Sequence, residues 1–295
     1  MRAPTRDYTR PVALRIGFKT AQSNVDIPTL LATWELGDEL EAFDSGWLFD
    51  HFVSLADGGD CFEGIALAGA LAARTKRLQF GHIVLGNTYR HPALLANAAV
   101  TLDHLAPGRF VLGLGAGWHE EEHAMYGIPL PPIGERITML GSSVRVLKAL
   151  FTSPDGATLD APPYALRDAV MRPPPATAGG PPIWLGTQGL RRGLRIVAEL
   201  ADGWNQTGDP ASFDEKRDAL LRHCEAVGRD PGEIEISAQV RLGDGHAAAL
   251  RTAIDLVDRG AQHIILLMPA AEGPAGLQRL ADEVAVPLRE ARGAA

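Results

Sequence analysis

The chain has 295 residues with 28 Lys+Arg against 36 Asp+Glu, a formal net charge of −8. Hydrophobic residues make up 46% and charged residues 22%, which excludes general disorder. An acidic balance without a basic cluster argues against nucleic acid, and no run approaches the ~18 apolar residues of a membrane span. Two cysteines, Cys61 and Cys224, are too few for a disulfide framework or a cysteine-based zinc site. Arg2, Arg6 and Arg10 are not followed by an apolar run, so no secretory leader is expected. These features predict a cytoplasmic globular protein, at this size most often an enzyme.

In chain order, apolar strand-like runs alternate with amphipathic helical ones. Residues 14–18 read as a strand and 28–43 as a helix, then 47–49 and 62–74, 78–84 and 92–105, 110–114 and 135–151. Residues 152–182 break the rhythm with eight prolines, which suit neither helix nor central strand. Within this excursion, 164–166 and 169–171 are expected to form a small hairpin. The alternation resumes at 183–185 and 190–200, 203–206 and 211–227, 234–238 and 246–259, 263–268 and 275–289. The strands lack strict alternation, as strands buried on both faces do. Eight strands and eight helices predict an α/β fold, a (β/α)8 TIM barrel with an insertion between the fourth and fifth βα units. One domain is expected over residues 1–295.

Barrel enzymes work at the C-terminal ends of their strands. Asp50-His51 follows the second strand, an acid and an imidazole able to hold a substrate and move protons near neutral pH. After the third strand, Asn87 and Arg90 precede a helix start that could hold anionic or carbonyl groups. Gly115-Ala116-Gly117-Trp118 follows the fourth, its glycines permitting close approach of a planar ligand. The next residues, His119-Glu120-Glu121-Glu122-His123, match the zinc pattern H-E-x-x-H, although no third ligand is evident downstream. After the fifth strand, Gly186-Thr187-Gln188-Gly189 and the arginines Arg191 and Arg192 suit a phosphate. Trp204-Asn205-Gln206-Thr207-Gly208 adds polar groups after the sixth. Each of these turns also has an ordinary structural reading, as helix caps or solvated surface.

Taken together, Asn87-Thr88-Tyr89-Arg90-His91-Pro92, Thr101-Leu102-Asp103, Gly108-Arg109-Phe110, Gly113–Trp118, Glu121-Glu122-His123, Tyr126-Gly127 and Ala201–Asn205 resemble the bacterial luciferase-like flavin monooxygenase superfamily. The likeness is strongest to the branch that uses the deazaflavin coenzyme F420. The resemblance implies a cofactor over the barrel mouth, with its phosphate near the loop after strand five. It also implies a non-prolyl cis peptide at Ile83–Val84 bulging against the ring, and a homodimer. Asp50 and His51 match the family's pair near that ring and are the expected catalytic residues. Sugar-phosphate dehydrogenases of the family carry an acid where Trp118 stands, which argues against oxidation of glucose 6-phosphate. The expected function is hydride transfer between F420 and an unidentified small organic substrate. The alternatives are an FMN-dependent monooxygenase using O2 with a flavin reductase partner, a metal-dependent hydrolase, and a non-catalytic cofactor-binding barrel.

Overall fold

The structure, a computed structural model, describes residues 13–207 and 210–292. The arginine-bearing start of the chain and Gly208 lie outside the described residues.

The first half of the fold comprises β1 (Arg15–Thr20), α1 (Ile27–Glu39), β2 (Ser45–Leu48), α2 (Gly64–Arg74), β3 (Gln79–His82), β4 (Leu85–Gly86), α3 (Pro92–Leu105), β5 (Phe110–Gly115), α4 (Glu120–Met125) and α5 (Ile133–Thr152). The remainder runs β6 (Ala157–Ala161), β7 (Tyr164–Ala169), β8 (Ile183–Gly186), α6 (Gly193–Leu200), β9 (Gly203–Gln206), α7 (Phe213–Val227), β10 (Glu235–Arg241), α8 (His246–Asp258), β11 (His263–Met268), α9 (Gly273–Leu280) and α10 (Val286–Arg292). Local chemistry marks several boundaries. The Asp26 carboxylate accepts from Thr29 N–H at 2.8 Å to cap α1, His91 caps α3 ahead of Pro92, and Gly228 ends α7 at φ 69°.

The large sheet is entirely parallel and closes on itself through β3–β5 pairing. Segments β3 and β4 share one place in the ring, so the closed sheet is the eight-membered barrel expected from the alternation. The strand expected over 78–84 is interrupted at the Ile83–Val84 peptide, which is cis as the resemblance implied. Three local expectations need correction. The fifth barrel helix begins at Gly193, not residue 190, because Arg191 and Arg192 belong to the preceding turn. The hairpin pairs β6 with β7, not 164–166 with 169–171, so its first strand lies seven residues earlier. The last expected helix is two, α9 and α10, joined through a wider turn at Ala281–Ala285.

Inside the barrel, the Trp47 and Trp184 rings stack with centroids 5.0 Å apart, packed with Ile83, Val111 and Ile265. Below them, the first residues of five strands are braced by polar contacts. Ser45 Oγ lies 2.8 Å from His263 Nε2, and His263 Nδ1 lies 2.9 Å from Glu235 Oε1. Arg15 bonds both Glu235 and Gln79. The sequence shows no hydrolytic triad, yet this trio has the connectivity of one. Ser45 and His263 are fully buried, and Ser45 Oγ also accepts from Trp47 Nε1 at 2.8 Å. None of the three lines the cavity above, so the network braces the floor.

Candidate active site

The C-terminal ends of the strands surround a cavity of about 1300 Å³. One wall is backbone. Val84 projects between Gly115 and Gly186, where a Cβ would come within 2.5 and 2.8 Å of its methyl groups. Glycine at both positions lets the cis bulge stand into the cavity. The wall continues through Ala116, Gly117 and Trp118, and Arg136 fixes it from behind by donating to the Gly117 carbonyl. Gly186, Thr187, Gln188 and Gly189 lie on the rim with Arg191 and Arg192. Arg192 is tied to Gly134 O and Thr138 Oγ1, whereas the exposed Arg191 has no hydrogen-bond or ion-pair partner among the described residues.

His51 faces this wall. Its Nδ1 lies 2.9 Å from Glu122 Oε2, and its ring meets the exposed Trp118 edge-on at 5.8 Å. Glu122 is fully buried and accepts three further hydrogen bonds, from Tyr89 OH at 2.5 Å, Phe52 N–H at 2.5 Å and Val53 N–H at 3.4 Å. Burial alone would raise its pKa, but the bonds from Tyr89, Phe52 and His51 outweigh this and hold the carboxyl below its ordinary range. Burial and the same carboxylate push the Tyr89 hydroxyl far up, so it remains a donor. An ionised Glu122 selects the His51 tautomer with hydrogen on Nδ1, leaving Nε2 free to accept.

Asp50 also lines the cavity, in a different role. Its carboxylate takes Arg90 Nη1 at 2.6 Å, Nη2 at 2.9 Å and Gly86 N–H at 2.8 Å. Arg90 continues to Glu63 at 2.6 Å. Asp50 is thus engaged in joining the second and third strand ends. Arg90 and Asn87, expected at the cofactor, do not line the cavity. Arg90 is drawn to the carboxylates, and Asn87 is buried with its N–H on Gly115 O. The other expected cofactor residues, Ile83, Val84, Gly115 to Trp118 and Gly186 to Gly189, do line it.

The H-E-x-x-H histidines are committed elsewhere. His119 Nδ1 caps α4 by accepting from Glu122 N–H, and His123 bonds His119 O at 2.7 Å and Thr88 Oγ1 at 2.7 Å. Among the described residues no group of three His, Cys, Asp or Glu side chains could hold a metal ion. Sequence reading named Glu122, one of three consecutive glutamates, only as part of motifs and gave it no role of its own, and it missed Lys19, which lines the cavity. A lysine inside an otherwise apolar strand was the available signal for Lys19. No helix among the described residues is long and apolar enough to cross a membrane.

The family profile described as luciferase-like monooxygenase matches residues 21–293. An F420-dependent glucose-6-phosphate dehydrogenase of Nakamurella multipartita is 30% identical over 94% of this chain and 81% of its own length. Its counterpart from Amycolatopsis mediterranei is 34% identical over 78% of this chain and 69% of its own. Among solved structures, an F420-dependent secondary alcohol dehydrogenase in complex with an F420-acetone adduct superposes with a TM-score of 0.80 at 17% identity, covering 94% of this chain and 99% of that one.

Proposed function

The chain belongs to the luciferase-like monooxygenase family, and from that membership we propose that its barrel mouth serves hydride transfer between coenzyme F420 and a small organic substrate. The F420-dependent relatives favour this coenzyme over FMN. The residues present fit it. A cavity of about 1300 Å³ exceeds the ~300–1,000 Å³ usual for one small ligand, leaving room for coenzyme and substrate together. The cis bulge at Ile83–Val84, seated between Gly115 and Gly186, and the wall of Ala116, Gly117 and Trp118 beside it suit a flat ring. Gly186, Thr187, Gln188 and Gly189, with Arg191 and Arg192 adjacent, suit a phosphate.

When bound, the deazaflavin supplies the hydride-accepting or hydride-donating carbon, and the protein orients the reactants and excludes water. The observation that carries this reading is His51, anchored through Nδ1 by a buried carboxylate opposite a glycine wall. In alcohol oxidation, Nε2 accepts the substrate hydroxyl proton as the hydride leaves carbon; in the reverse direction the imidazolium returns it. Glu122 orients the ring and offsets its charge. The family resemblance implies an acid in sugar-phosphate dehydrogenases where this chain has Trp118, which argues against glucose 6-phosphate and for another small organic substrate.

The test begins with fluorescence titration of purified protein with F420 and with FMN. Preference for FMN would move the reading to a monooxygenase. With F420 bound, His51→Ala is expected to slow hydride transfer about a hundredfold or more while F420 affinity changes little. Lost affinity with a normal rate at saturation would leave His51 as a wall of the pocket.

A further inference from the structure

The charged residues around the cavity are unevenly matched. Lys19, Arg191, Arg192 and Arg241 line it, against one carboxylate, Asp50, which is already bound to Arg90. The cavity lining thus carries an excess of cations on a chain whose net charge is −8.

Two of these cations flank a single strand of the sheet. Lys19 on β1 and Arg241 on β10 both pair with Leu267 of β11, which puts them at one level on either side of it. Lys19 Nζ donates to Ile83 O at 3.0 Å and Gln239 Oε1 at 3.2 Å, two neutral acceptors. It also lies 5.9 Å from the Phe49 ring centre. Among the described residues neither Lys19 nor Arg241 has a carboxylate partner. Burial, reinforced by Arg241, lowers the Lys19 pKa to about 8, so its ammonium form still predominates at neutral pH. A desolvated ammonium held only by neutral acceptors, with an exposed guanidinium across the next strand, is a setting that an anion would stabilise.

Resting on the reading of this cavity as an oxidoreductase site, we propose that Lys19 and Arg241 form a seat for an anionic group, carboxylate or phosphate, of the organic substrate. Phe49 links the seat to the chemistry, since its ring also lies 5.3 Å from the His51 ring. A substrate held by its anionic end there would extend its reacting carbon past Phe49 toward His51. The loop after β8 suited to the cofactor phosphate lies on the other side of β10 from Lys19.

The test is calorimetric titration of sodium acetate and sodium phosphate, at fixed ionic strength, into wild type, Lys19→Met and Arg241→Met, each with and without saturating F420. Arg241 is exposed, so its variant keeps the fold intact should Lys19→Met fail to express. Wild type is expected to bind one of the anions, and each variant to bind it about tenfold or more weakly. The preferred anion identifies the head group. F420 affinity, read by fluorescence, should move less than about threefold, well under 1.4 kcal/mol. Equal anion affinity in all three proteins, or no anion binding to wild type, would overturn the seat. So would a parallel loss of F420 affinity, which would assign both cations to the cofactor. If wild type fails to bind F420, the cofactor reading falls while the titrations without F420 still decide the seat.

Discussion

The Nδ1 atom of His51 stands 2.9 Å from the Oε2 atom of Glu122, a residue 71 positions later and fully buried. One oxygen of that carboxylate holds the imidazole and the Tyr89 hydroxyl, and the other holds the Phe52 N–H. Glu122→Gln replaces one oxygen with an NH2 group that cannot accept. The amide either loses the Phe52 N–H or turns a donor toward His51, which then must carry its hydrogen on Nε2. Hydride transfer should slow on the order of a hundredfold with F420 affinity nearly unchanged, as stopped-flow absorbance would measure. A normal rate would show that the tautomer is not set by Glu122.

Asp50→Asn separates positioning from chemistry. Asp50 binds Arg90 through two short contacts and Gly86 N–H through a third, and an amide cannot satisfy all three. Loss of charge-assisted bonds of this kind should destabilise the fold by about 2 kcal/mol, read as a lowered urea midpoint. A variant of unchanged stability but collapsed rate would instead put Asp50 in the proton path.

Gly189 offers a test of the phosphate seat with little steric interference. A Cβ there would meet nothing closer than Gly193 N at 3.8 Å. Gly189→Asp should therefore act by charge, weakening cofactor binding about thirtyfold, or about 2 kcal/mol. Gly189→Asn, of the same shape and neutral, should lose much less. Equal behaviour of the two variants would remove the phosphate from this loop.

Stability should fall with acid in two stages. His82 and His263 are wholly buried, and burial lowers both pKa values, so the unfolded chain binds protons there first. Stability is then lost as pH drops through about 6.5. For Glu122 and Glu235, burial would raise the pKa, but bonds from Tyr89, Phe52 and His51 in one case and His263 and Arg15 in the other leave both depressed. Their contribution is present above the unfolded value of about 4.5 and is lost as pH falls below it. Urea midpoints constant from pH 7 to about 5.5 would contradict the first stage.

The barrel was legible because strands buried on both faces leave unbroken apolar runs, while helices keep one polar face. Boundaries were less so. Leu190 looks helical by hydropathy, but the turn holding Arg191 and Arg192 delays α6 to Gly193. His51 and the glycine wall could be found from position relative to the strands. Glu122 could not be separated from Glu120 and Glu121 by type, because its difference is burial against Phe52 and Tyr89. Arg90 shows the opposite failure: a cation at a strand end reads as ligand-facing until the fold supplies Asp50 and Glu63 as partners.

The stacked Trp47 and Trp184 make the barrel a blind alley. A ligand of the cavity above therefore comes and goes at the rim alone, where Trp118, Arg191 and Arg192 stand, so those residues act as doorkeepers to whatever the chamber takes in.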